Sequence, residues 1–151
     1  MRKVLVMPAL LHRFARFLLT GILVLAPVAS VSGQSSLLTG AFDEAQAVRG
    51  QAVYYQHCLA CHGESMNGVD QAPPLTGPQF GSNWRGETLW ALVERMTTMP
   101  PDKPGTLSRH ELVDTLAYVL WYNGLPLGDA ELPAEQDVLS GMTFELPPLG
   151  E

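Results

Sequence analysis

Residues 58–62 read Cys58-Leu59-Ala60-Cys61-His62, and these five positions decide how the rest of the chain is read. Two thiols three residues apart, followed directly by histidine, have the spacing of covalent c-type haem attachment. The two haem vinyl groups lie on neighbouring edges of the ring, and one turn of chain bridges them. Each thiol adds to a vinyl group to form a thioether, and the adjacent histidine is then directed beneath the ring toward the iron. A zinc knuckle needs two further thiolate or imidazole ligands; the chain has only these two cysteines, and His57 is too close along the backbone to complete the geometry. A redox-active dithiol wants a strand before the motif and a helix after it. Here a helical pattern precedes and a glycine-rich stretch follows. Coincidence would require both cysteines and one of the four histidines to fall within five residues.

Outward from the motif, helical signals dominate. Asp43 and Glu44 suit a helix N-terminus, and Glu44 to Cys58 reads as a first helix, with Gly63 the first glycine beyond it and a natural stop. Residues 63–83 are rich in Gly, Pro and Asn and read as loop, anchored by Leu75 and Phe80. Thr88 to Met96 places Leu89, Leu92 and Val93 at helical spacing, and Met99-Pro100-Pro101 ends that helix. Ser108 and Glu111 form a capping box before the apolar stripe Leu112, Leu116, Val119 and Leu120, which Asn123-Gly124 terminates. The tail after Leu125 is Pro- and acid-rich, with Leu139, Met142 and Phe144 suited to an extended strap across the domain. The expected class is all-α and small, without a repeat or second domain.

The N-terminus has a different character. Arg2, Lys3, Arg13 and Arg16 precede the apolar run Phe17–Val28, and small residues follow at Ala29, Ser30, Ser32 and Gly33. That order reads as a secretory signal over residues 1–33; the run of 12 is short of the roughly 20 that a membrane span needs. Residues 34–42 form a lead-in, 43–125 the folded domain and 126–151 the tail. Without the signal, five basic residues face 15 acidic ones, a net charge of −10. Such a surface excludes nucleic acid and favours partners with basic docking patches. Membrane association follows only if the N-terminal segment is retained.

The second iron ligand is sought among soft donors, because thioether sulfur suits haem iron and raises its potential. Met66 is four residues from His62 and falls on the same side of the ring; Met142 needs a long return from the tail; Met96 belongs to a helix, where core packing is the commoner role. Met99 sits in a stiff loop beside two prolines and is the preferred ligand. His110, on the first turn of the last helix, is the bis-histidine alternative.

Gly50, Tyr54, the Cys58–His62 motif with Gly63, then Pro73, Leu75 and Gly77, with Trp84, Met99-Pro100 and Ala117-Tyr118 through Asn123-Gly124, resemble a class I cytochrome c. The likeness runs from about Asp43 to Leu132 and is nearest to small bacterial periplasmic monohaem cytochromes that serve dehydrogenases. It implies a cytochrome c fold of three to four helices around one covalently bound haem c, with Cys58 and Cys61 holding the haem and His62 and Met99 ligating iron. It also implies that the Pro73 carbonyl fixes the His62 ring, with Pro74 one residue away as the competitor, and that Gly50 lets the first and last helices approach. Thr115 departs from the family, which has a bulky apolar residue at that crossing. The Trp84 indole either donates to a haem propionate or walls the pocket. The function implied is one-electron transfer, not enzymatic chemistry, between a dehydrogenase donor and a cytochrome or oxidase acceptor. The alternatives are a dehydrogenase subunit, or a haem protein with an open site acting as peroxidase or gas sensor.

Overall fold

The computed structural model describes residues 36–147, so the signal expected over residues 1–33 lies outside the described residues. Within them the regular structure is helical: α1 Glu44–His57, α2 Leu59–His62, α3 Gly77–Trp84, α4 Leu89–Met96, α5 Arg109–Tyr122 and α6 Gln136–Ser140, after a 3₁₀ turn at Leu37–Thr39. Among the described residues there is no strand, only an antiparallel bridge between Thr88 and Thr143. No helix among them is long and apolar enough to cross a membrane.

Local chemistry sets most of the boundaries. The Asp43 side chain accepts from the Gln46 N–H at 2.8 Å and starts α1. The helical run then breaks once at Cys58, which caps both α1 and α2. It ends at Gly63, whose φ of +76° L side chains rarely adopt. Thr88 caps α4 through its hydroxyl, and Ser108 and Glu111 form the reciprocal box that starts α5.

The architecture is organised by the crossing of α1 and α5. A Cβ added at Gly50 would lie 1.8 Å from the Asp114 carbonyl oxygen, so the two backbones touch and only glycine fits. Opposite it, Thr115 is buried and donates its hydroxyl to the Glu111 carbonyl at 2.7 Å. The smaller residue is satisfied within its own helix. Beside the crossing Tyr54 and Tyr118 pack edge to face at 5.5 Å, and Arg49 pairs with Asp114 and Glu131.

Two segments differ from the sequence reading. Residues 77–83, read as loop, form α3 together with Trp84. Pro78 lies in the first turn, where its missing N–H costs nothing. The helix is held from a distance, by the Phe80 ring packed edge to face on Phe144 at 5.4 Å. The tail is not simply extended either. It forms α6, buries Leu132, Leu139, Met142 and Phe144, and bonds to residues 86–89 through Leu89 N–H to Met142 and Phe144 N–H to Glu87. Gln46 fastens its start, exchanging two hydrogen bonds with the Leu132 backbone in the interior.

Candidate functional site

The α1–α2 corner, the loop before α3, the α4–α5 connection and the inner face of α5 enclose an apolar cavity of about 290 Å³. Cys58, Cys61 and His62 reach it from the corner, and Pro73, Pro74 and Leu75 from the loop. Phe80 and Trp84 of α3 join the wall, as do Met96, Met99, Pro100 and Pro101. Leu112, Leu116 and Val119 close it from α5.

The break at Cys58 positions the corner. The Cys61 and His62 N–H groups both bond to the Cys58 carbonyl, so the motif forms one tight turn that turns both thiols and the imidazole to the cavity. The thiols are free, with Cys58 part-buried and Cys61 exposed. Burial pushes the Cys58 thiol up to about 11, and the neighbouring Cys61 adds to the shift.

His62 is buried, at 8% exposure. Its Nδ1 lies 3.0 Å from the Pro73 carbonyl oxygen, which can only accept, so Nδ1 carries the proton. Burial lowers the His62 pKa against the smaller opposing effect of that hydrogen bond. The ring is therefore neutral, and Nε2 is left with a free lone pair. Pro73, not Pro74, makes the contact.

The candidate ligands separate clearly. Met66 is fully buried in the core and does not line the cavity; Met142 is buried beside α6. His110 is exposed on the first turn of α5 and is likewise outside the cavity. Met96 and Met99 both line it. Trp84 is half-buried on the wall.

The cavity also draws in residues that the sequence did not single out for it. Tyr54 is fully buried on its wall and donates its phenol to the Gly63 carbonyl at 2.7 Å, bracing the end of the motif. Arg95 and Asn83 bring polar groups to it. An arginine on a short helix carries no signal of such a place, since most solubilise a helix face.

The donor set fits haem. Two thiols, one imidazole lone pair and two thioethers surround an apolar volume, the soft and borderline donors that haem chemistry uses. Among the described residues no three His, Cys, Asp or Glu side chains group in a way that would hold a metal ion by themselves. Residues 45–119, the span that supplies this cavity, match the family model described as cytochrome C oxidase, cbb3-type, subunit III. The matched span is similar to a cytochrome c domain. Its helices have the all-α cytochrome c fold, and a domain of this kind implies haem c binding, electron transfer and redox protein partners. Neither curated proteins nor solved structures give a significant match to the chain. The match to residues 45–119 includes the α1–α5 crossing and ends before the tail that packs on α3 through Phe144.

Proposed function

We propose that the chain is an exported monohaem cytochrome c that carries single electrons from a dehydrogenase to a downstream respiratory acceptor. The observation that carries this reading is the convergence of Cys58, Cys61, His62 and Met99 on one apolar cavity. Haem bound there supplies a one-electron Fe(III)/Fe(II) couple. Cys58 and Cys61 hold it through thioethers. His62 offers Nε2 to the iron, already in the required tautomer because Pro73 occupies Nδ1. Met99 would offer its thioether to the iron from a segment stiffened by Pro100 and Pro101. Trp84 stands at the wall with an indole N–H suited to a haem carboxylate. With His62 and Met99 both holding the iron, outer-sphere transfer would be favoured over peroxidase or gas-sensing chemistry.

Periplasmic location rests on the basic, apolar and small-residue order of residues 2–33. The matching family model describes an oxidase subunit, which favours an oxidase on the acceptor side.

An alkaline pyridine spectrum of protein made with a cytochrome c maturation system tests the reading; a colourless product overturns it. Met99→Ala is expected to turn the iron high-spin and Met96→Ala to leave it low-spin, and the reverse result moves the ligand to Met96. Rapid, tight carbon monoxide binding to the reduced protein at neutral pH would overturn the carrier role.

A further inference from the structure

A second concavity lies on the α1–α5 surface, lined by Gln51, Tyr55, Glu64, Tyr118, Trp121 and Tyr122. Four of the six are large aromatics. Tyr118 is the buried floor, while Tyr55, Trp121 and Tyr122 stand 44%, 40% and 41% exposed around it. Tyr118 packs against Trp121 and against Tyr122 with ring centroids 6.3 Å apart in each case. Gln51 lines the pocket beside Tyr118. Exposed aromatics gathered in one concavity mark an interaction site more often than scattered apolar residues do.

We propose that this pocket receives the guanidinium of an arginine side chain from a redox partner, making it a docking anchor. Aromatic faces attract cations, and arginine stacks on rings while its planar fork pairs with a carboxylate. Here Glu64 is the one carboxyl side chain on the lining. Among the described residues no Lys or Arg lines the pocket. Nor, among the described residues, does any Lys or Arg lie between 50 and 84 or between 110 and 147, the stretches within which the lining residues fall. The chain's formal net charge of −6 also favours a cation. Another aromatic is treated differently, since the Arg109 guanidinium sits 4.8 Å over the Trp90 ring. There the chain provides the cation internally; at the Tyr118 pocket a partner must.

The pocket is also close to the candidate haem cavity. Tyr54 lines that cavity and packs edge to face on both Tyr118 and Tyr55, at 5.5 and 6.2 Å. Glu64 follows His62 by two residues. A partner anchored here therefore stands one aromatic layer from the cavity. That the partner is a redox protein rests on the function proposed above; binding of the cation does not.

The test is a titration of the reduced, haem-loaded protein, followed through the Trp121 indole N–H resonance. The probes are blocked Gly-Gly-Xaa-Gly-Gly peptides with Arg, Lys or Gln at the centre, and choline. The arginine peptide is expected to give a saturable shift with Kd on the order of 1 mM. Glu64→Gln and Tyr122→Ala are each expected to weaken it at least about threefold while the haem absorption spectrum is unchanged. The lysine peptide should bind more weakly and the glutamine peptide not at all. No saturation by about tenfold that concentration overturns the proposal, as does equal binding of the glutamine peptide, a preference for choline, or indifference to Glu64→Gln. A chain that holds haem and fails this titration loses the anchor alone, whereas a chain without haem loses the function proposed above.

Discussion

Replacing Gly50 by alanine is the sharpest probe of how the α1–α5 crossing is built. The added Cβ would stand 1.8 Å from the Asp114 carbonyl oxygen, 2.4 Å from its carbon and 2.9 Å from the Thr115 nitrogen. All three atoms are backbone, so no side chain can swing aside. Ordinary contact near 3.5 Å requires the helices to part locally by roughly 1.7 Å. Overpacking of this kind costs up to about 3 kcal/mol. Parting the helices also loosens the adjacent Tyr54–Tyr118 pair, worth about 1 kcal/mol. Alanine returns about 1 kcal/mol through its better helix propensity. The net expectation is a destabilisation of about 3 kcal/mol, or a fall in Tm of about 10–15 °C for a domain of this size. Thermal and guanidinium unfolding of the haem-loaded protein, followed by far-UV circular dichroism, measures it. Gln56→Ala, on the exposed face of α1, is the control and should move stability by no more than about 0.5 kcal/mol. A Gly50→Ala protein within about 1 kcal/mol of the parent would refute the account of a backbone-limited crossing.

Three further outcomes follow from the tail and the caps. Phe144→Ala should cost about 3–5 kcal/mol, since it empties a fully buried ring site against Phe80; a urea-midpoint shift below about 1 kcal/mol would mean that the tail does not hold α3. Gln46→Leu leaves the buried Leu132 N–H and carbonyl without their partner and should cost about 2–4 kcal/mol, with faster amide exchange at Leu132 as its local signature. Hydrogen bonds from the Ser108 hydroxyl and N–H hold the Glu111 carboxyl below its ordinary value near 4.5. A depressed folded-state pKa contributes stability present above the unfolded value and lost as pH falls through the folded one. The stability gap between the parent and Glu111→Gln should therefore be full at neutral pH and shrink below about pH 4.5; a gap that widens on acidification contradicts the capping box.

The parts of the fold legible in the sequence are those whose cause is local. The capping box at Ser108–Glu111, the Gly63 stop and the Asn123-Gly124 end each depend on side chains within a few residues, and the structure has them there. The illegible parts are those held by distant partners. α3 has a Gly- and Pro-rich sequence that reads as loop, and Phe144, 64 positions away, makes it a helix. The tail was recognisable by Leu139, Met142 and Phe144, but α6 and the pairing with residues 86–89 depend on what those side chains meet.

The site divides in the same way. Cys58, Cys61 and His62 stand out because two thiols and an imidazole at this spacing form a motif, and a spacing along the chain is what a sequence records. The choice between Pro73 and Pro74 needed the 3.0 Å contact to His62 Nδ1, which also settles the tautomer. The narrowing of the thioether candidates to Met96 and Met99 needed the burial of Met66 and Met142 elsewhere. The aromatic pocket around Tyr118 was invisible, because Tyr55, Glu64 and Trp121 come from three separate segments. The sequence by itself determined the spacing of the two thiols and the imidazole and the helix ends, whose partners are chain neighbours. Only the tertiary structure decided which distant side chains share a wall, because that depends on how closely α1 can approach α5, and Gly50 sets that distance.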